Sequence, residues 1–300
     1  MRESQQTGSE RQIRSTSADR ADAAFCADLV RTYDFARYAS TLFVGAEERR
    51  ALLALYAFNA EISRVRDSVS QPLAGEIRMQ WWTDMLLGQG RGGVEGNPVA
   101  AELLLVIRSF GLPVELLSRL VEEHQFDLYN DPMPTLAALE GYAAETSSAL
   151  FALAARIAAP PSAEAEHLAR HAGLAQGFAQ VIASLPRDSS RRQLFVPLQL
   201  LEAQGGSMEE IFAGKETPKV RAALDQLIGE ARKHLRTAFS LLADVPAKTR
   251  PVFLPLVLVQ RNLERMTRAD ADPFMPQPPS RFSILWALWR ASRSRAFKAG

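Results

Sequence analysis

The sequence predicts an all-α protein, and three observations carry that expectation. Apolar residues recur at helical spacing in segment after segment, no stretch shows the period-two alternation of a half-buried strand, and short Gly- or Pro-bearing breaks separate the segments. The clearest case is ALLALYAFNAEISRVRDSV, in which Ala51, Leu55, Phe58, Ile62, Val65 and Val69 lie alternately four and three apart. That spacing forms one buried stripe along a helix.

The remaining elements follow in chain order. Residues 1–22 mix acids, bases and hydroxyls without an apolar run, so they lack the burial that offsets ordering entropy, and disorder is expected there. A folded unit should begin near Ala23. After the helix of residues 51–69, Gly75 to Leu87 repeats the pattern and QGRGGVEGNP reads as a loop. Ala100 to Phe110 and Pro113 to Leu128 flank Gly111 as a helical pair. The turn NDPMP leads into Leu136 to Ala158, which Pro160 and Pro161 close. Helices are expected from Ala163 to about Leu185, from Thr217 to Ala243 and from Pro251 to Arg268. A proline-rich turn, DPFMPQPP, then precedes a last helix in SRFSILWALWRASRSRAF. Residues 23–270 read as one helical domain, and 271–300 as a proline-rich turn with a basic amphipathic C-terminal helix.

Composition narrows the class. With 47% hydrophobic and 23% charged residues and a net charge of +1, the chain is an ordinary globular protein with no basic excess for nucleic acid. The single cysteine, Cys26, excludes an internal disulfide framework, and a buried free thiol in a reducing compartment is the expectation. The N-terminus is neither a secretory signal nor a spanning helix. His167 and His171 are four apart on a helix, but HLARH carries no glutamate where a zinc hydrolase needs its base. Neither a Walker loop, nor GxGxxG after a strand, nor a GxSxG elbow is present.

Several segments in order resemble the squalene/phytoene synthase family: CADLVRTYDFARYASTLF (26–43), ALLALYAFNAEISRVRD (51–67), EIRMQWW (76–82), YAAETSSAL (142–150), GLAQGFAQVIASLPRD (173–188) and QLFVPLQLL (193–201). The resemblance implies an isoprenoid-synthase (terpenoid synthase-like) helical bundle around a central cavity. In its catalytic members two helices face each other with aspartate-rich motifs, whose carboxylates hold the magnesium that binds prenyl diphosphates. Carboxylates at i, i+3 or i+4 share a helix face, and hard magnesium takes several oxygens.

This chain departs from both motifs. Where active members carry YAFCRxxDDxxD it has YAFNAEISRVRD, so Ser63 and Arg64 fill the first two aspartate positions and Asp67 alone remains. At the second motif, set by aligning FVP with the family's YLP, stand Ser184, Leu185, Pro186, Arg187 and Asp188. Pro186 should also kink or stop the helix near Leu185. In TYDFARY, Asp34 stands where a phosphate donor is expected. Such a charge balance should not gather several divalent cations, so no metal is expected unless the chain is an active transferase. Arg64, Arg191 and Arg192 are candidates for gripping an anion instead, or they simply pair with acids. Trp81 and Trp82 read as packing residues.

The departures are similar to the non-catalytic complex I assembly factor 6 branch and its α-proteobacterial relatives, through YAFNAEISRVRDSVSQPLAGEIRMQWW, GLAQG, SRRQLFVP and GGSMEEIF. That resemblance implies help in building respiratory NADH dehydrogenase, with complex I subunits or assembly intermediates as partners and a lipid or isoprenoid as a candidate cavity ligand. The alternative is a magnesium-dependent head-to-head prenyl transferase. In the last helix Phe282, Leu285, Trp286 and Trp289 can line one face amid Arg281, Arg290, Arg293, Arg295 and Lys298. This suits either a membrane surface or packing on the core, so a cytoplasmic protein, peripheral on the inner membrane, is the expectation.

Overall fold

The computed structural model describes residues 20–89, 96–268 and 270–297, and within them every regular element is helical. Residues 1–19, most of the stretch expected to be disordered, lie outside this range, as do 90–95 of the glycine-rich loop. The described chain is already helical at residue 20. Helix α1 covers residues 20–33, followed by α2 (Phe35–Ser40), α3 (Ala46–Ser63), the short α4 (Val65–Ser68) and α5 (Pro72–Leu86). Next come α6 (Pro98–Phe110), α7 (Val114–Glu123), α8 (Leu136–Ala143) and α9 (Ala149–Ala158), with one π-helical turn at Ala144–Ser148 between the last two. The second half comprises α10 (Ala163–Ala183), α11 (Leu185–Ser190), α12 (Leu198–Ala203), α13 (Met208–Phe212), α14 (Pro218–Leu241), α15 (Pro255–Met266) and α16 (Arg281–Ser292).

Local chemistry explains the boundaries. The Asn97 side chain accepts from the Val99 and Ala100 amides to start α6, and Pro98 sits in the first turn, where its missing N–H costs nothing. The helix ends at Gly111, whose φ of 59° is a left-handed conformation suited to glycine. Ser162 and Thr217 cap α10 and α14 through the amides of Ala165 and Val220. Pro186 has the effect expected of it: α10 stops at Ala183, and Pro186 opens a new helix, α11.

The stripe of α3 makes the spine, with Leu52, Leu55, Phe58 and Ile62 fully buried. Each such side chain contributes about 1.5–3 kcal/mol by leaving water. Trp82 is buried edge-on against Phe58, and Trp81 packs on Trp82, so both tryptophans pack as expected. Helices α10 and α14 pack along their length, and His171 Nδ1 meets His234 Nδ1 across them at 2.8 Å. Gly173 lets α10 approach the π-helical turn: a Cβ there would stand 2.2 Å from the Ser148 Cα and backbone N. Cys26 is buried, and burial pushes its thiol up to about 12. Helix α16 packs on α15 and α2 through Ala287, Leu288 and Ala291.

The last helix divides its aromatic stripe. Leu285 packs against the core, apart from the three aromatics with which it was expected to share one face. Phe282, Trp286 and Trp289 remain 76%, 52% and 40% exposed. No helix among the described residues is long and apolar enough to cross a membrane.

Candidate functional site

A cavity of about 1220 Å³ lies between α2, α3, α4, α10, α11 and α15, with the proline segment 276–279 at one side. It gathers both altered motifs. Ala60, Ser63, Arg64 and Asp67 line it from one wall, and Ser184, Arg187, Asp188 and Arg191 from the other. Arg192, a candidate from the sequence, falls outside, and so does Tyr56. Tyr56, one turn earlier on α3, is buried in the core beneath Arg37, because the apolar stripe wraps to include it. Arg192 adopts a left-handed φ of 54°, pairs with Glu209 at 2.7 Å and covers the Phe212 ring. The backbone turn that aims Arg191 inward aims Arg192 away.

The first motif is broken by its own arginine. Helix α3 ends at Ser63, and Arg64 has φ −111° and ψ 6° before α4 resumes. The Arg64 guanidinium lies 3.3 Å above the Tyr33 ring centroid and 3.9 Å from Asp67 Oδ2. Stacking plus a distant carboxylate holds it at the cavity wall.

Across the cavity, Arg191 Nη1 donates to Asp67 Oδ1 at 2.5 Å. One guanidinium thus joins the two motifs, 124 residues apart in sequence. Asp188 is buried and receives Arg187 Nε at 3.0 Å. Burial still raises its carboxyl pKa, while Arg187 pulls it back down. Neither surviving motif aspartate is therefore without a cation. Among the described residues no group of three or more His, Cys, Asp or Glu side chains is placed to hold a metal. The donor set does not fit a cluster of magnesium ions, which needs several oxygen ligands with charge to spare.

Asp34 has a structural role. It caps α2 through the Arg37 amide and binds the Arg37 side chain at 2.6 Å. Its carboxylate is committed locally.

The site also contains residues that sequence reasoning missed. Asp127 accepts from the Tyr142 hydroxyl at 2.8 Å, and Gln193 Nε2 donates to the Asp127 carbonyl at 3.0 Å. Burial pushes Asp127 up to about 6, against the lowering effect of His124 and the Tyr142 hydrogen bond. Tyr142 is held well above its ordinary value by burial and by Asp127. Gln176 Oε1, also at the cavity, is shielded from solvent and has no hydrogen-bond partner among the described residues. The segments YAAETSSAL and QLFVPLQLL contain Tyr142 and Gln193, but no motif letter singles them out. Asp127 lies in no recognised segment.

On α15, Arg261 and Arg265 line the cavity near its proline-rich side. In all, eight arginines against five carboxylates line the space, so its field is cationic. Apolar surface comes from Leu150, Phe195, Leu258, Val259 and Ile284. The arrangement suits an anionic amphiphile better than a metal-bound diphosphate.

Comparison with known proteins places this geometry. A profile of the squalene/phytoene synthase family matches residues 30–293. The chain is 32% identical over 261 residues to the complex I assembly factor 6 of Rattus norvegicus, covering 87% of this chain and 78% of that protein. It is 26% identical over 263 residues to phytoene synthase 2, chloroplastic, of Solanum lycopersicum, covering 83% and 81%. In three dimensions it resembles a crystal structure of a dehydrosqualene synthase in complex with ligand, with a TM-score of 0.80 at 14% identity over 91% of this chain and 96% of that one. The last likeness concerns the fold alone.

Proposed function

Because the chain belongs to the squalene/phytoene synthase family, we infer that it is a non-catalytic member which helps assemble respiratory NADH dehydrogenase. One observation carries the non-catalytic part. The carboxylate that survives in the first motif is bonded at 2.5 Å to Arg191, beside the second motif, where catalytic relatives would have magnesium. A cation fixed by the chain stands where a cation recruited from solution would be needed. The assembly part draws on the complex I assembly factor 6 of Rattus norvegicus, whose 32% identity to this chain exceeds the 26% of the phytoene synthase.

In this reading the cavity is a binding chamber for a lipid or isoprenoid, needs no cofactor, and serves an assembly intermediate at the inner membrane. Support for the membrane comes from α16. Its exposed Phe282, Trp286 and Trp289 are accompanied by Arg281, Arg290, Arg293 and Arg295, and residues 273–297 contain no acid. Exposed aromatics with basic neighbours suit an anionic lipid surface. Deleting the gene should lower the level of assembled NADH dehydrogenase, read by native gels and activity in membranes. Normal levels in the deletion strain would overturn the reading.

A rival draws on one specific observation: Asp67 and Asp188 still line the same cavity. It makes the protein a prenyl transferase with a rearranged metal site. Purified protein given magnesium and farnesyl or geranylgeranyl diphosphate would then form a hydrocarbon, and Asp67→Ala and Asp188→Ala would abolish it. The inferred function predicts no product.

A further inference from the structure

Five of the eight cavity arginines have a carboxylate within 4.0 Å. Asp34 serves Arg37, Asp67 serves Arg64 and Arg191, Asp188 serves Arg187, and Asp270 serves Arg268. Among the described residues, Arg66, Arg261 and Arg265 have none. Two of these three share one helix: Arg261 and Arg265 are four apart on α15 and both line the cavity.

Their hydrogen bonds orient them without neutralising them. Arg265 donates from Nη1 to the Gln277 carbonyl and from Nη2 to Asn262 Oδ1, both at 2.9 Å. Arg261 donates only to the Ser283 carbonyl, at 3.5 Å. Those carbonyls belong to the proline segment and to α16, so the pair is framed by the cavity's edge. Burial, and then the charge of Arg261, lower the Arg265 pKa. Like charges four apart on a helix are destabilising, and Glu264 beside them accepts from Gln260 at 2.9 Å and makes no ion pair with either. An anion bound between the two guanidiniums would remove that repulsion.

The surroundings specify the rest of the ligand. Leu258 and Val259 precede the pair on α15, and Ile284 of α16 faces the same space. Leu150 and Phe195 extend the apolar lining, so a hydrocarbon chain has a wall to lie against while its head stays at the arginines. Guanidinium is a planar donor fork that matches phosphate oxygens.

We propose that Arg261 and Arg265 form the headgroup site for a phosphorylated lipid, whose hydrocarbon chain occupies the cavity, bound without a divalent metal. The site rests on reading the cavity as a ligand chamber and adds the class of ligand and its anchoring residues. A membrane phospholipid and a polyprenyl phosphate share the required chemistry.

Calorimetric titration of the purified full chain in EDTA separates them. The probes are dioctanoyl phosphatidylglycerol, farnesyl phosphate, inorganic phosphate and uncharged dioctanoylglycerol. At least one phosphorylated lipid should bind, and whichever binds more tightly identifies the source. Dioctanoylglycerol and inorganic phosphate should each bind at least about tenfold more weakly than that lipid, since each lacks one half of the recognised chemistry. Arg261→Gln/Arg265→Gln should weaken the lipid by at least about tenfold. Arg261 is exposed, so Arg261→Gln alone preserves the fold should the double variant not, and must itself weaken binding by about threefold or more.

The proposal is overturned if neither phosphorylated lipid binds, if binding needs magnesium, if either control probe matches the lipid, or if the arginine variants bind like the parent. Any of these results leaves the assembly reading standing, because that reading is decided by NADH dehydrogenase levels in the deletion strain.

Discussion

Asp127→Asn is the perturbation whose size the structure sets most directly. The Asp127 carboxyl titrates at about 6 in the folded protein, against an ordinary 3.8, because burial disfavours its anion. A folded pKa above the unfolded one means the native state holds the proton more tightly. Stability is therefore highest below about pH 4, falls as pH rises toward 6, and is lower by a constant amount above that. The gap between 3.8 and about 6, at 1.36 kcal/mol per pH unit, makes the full penalty about 3 kcal/mol. By the same linkage it is about 1.5 kcal/mol at pH 5 and about 3 at pH 8. Asparagine cannot ionise, yet its Oδ1 can still accept from the Tyr142 hydroxyl. Any unsatisfied amide proton adds an offset that does not vary with pH, so the slope is the diagnostic quantity. Relative to the parent, Asp127→Asn should gain about 1.5 kcal/mol between pH 5 and pH 8. For a chain of 300 residues that is about 2.5 °C in Tm, given an unfolding entropy of about 0.6 kcal/mol/K. Melting both proteins across this range by circular dichroism tests it. A difference that does not change with pH would refute the assignment of the buried charge. Repeating the pH 8 melts with 10 mM magnesium separates the two functional readings: an active metal site should raise the parent's Tm through Asp67 and Asp188, whereas the inferred binding chamber should show no such rise.

Three further outcomes follow from specific contacts. Gly173→Ala places its methyl 2.2 Å from the Ser148 backbone, which cannot rotate away, and should destabilise by about 3 kcal/mol or prevent folding, as read by urea unfolding. Gly229→Ala, on the neighbouring α14 with open space around it, is the control and should be neutral or stabilising. A double-mutant cycle on Asp67→Ala and Arg191→Ala should show a coupling of about 0.5–1 kcal/mol in unfolding free energy, because both side chains are partly exposed and solvent screens the pair; zero coupling would remove the bridge from the argument. Trp286→Ser/Trp289→Ser should lower sedimentation with phosphatidylglycerol vesicles by about tenfold or more while leaving the melting curve in place, since both rings are outside the core. Equal sedimentation would return α16 to a purely packing role.

The fold was readable because it rests on a repeated local signal. Ala51, Leu55, Phe58, Ile62 and Val65 are all buried, as their spacing required, while Val69, the last of the stripe, is half-buried and extended just past α4. Pro186 marked the end of α10 because a missing amide acts on its own backbone, whatever the tertiary context. The site was readable only where motif letters flagged it. Ser63, Arg64, Asp67, Ser184, Arg187 and Asp188 meet at one cavity, but which cation meets which acid depends on approach in space. Arg191 and Arg192 are neighbours with identical side chains, and one positive φ sends them to opposite surroundings. Asp127 was invisible because its raised pKa comes from burial that no local pattern encodes. No motif letter singles out Arg261 and Arg265 within the helix expected from Pro251 to Arg268, and their lack of carboxylates shows only in space.

The size of the cavity bears on what the altered motifs mean. Exposed residues, among them Ser63, Asp67 and Arg261, line the space of about 1220 Å³, so it opens to solvent and water can enter along its charged wall. Leu150, Phe195 and Leu258 leave part of that space with little for water to bond. Small side chains at Ala60, Gly177, Ala179 and Ala183 line this space, and larger residues at the alanines would occupy part of it. A protein that had lost catalysis and needed only its outer surface could close the chamber with a few such changes. This chain instead combines an open chamber with a fixed Arg191–Asp67 bridge and an uncompensated Arg261–Arg265 pair. In the proposed reading its electrostatics have moved from holding metal to holding an anion directly, while the room for a hydrocarbon chain remains.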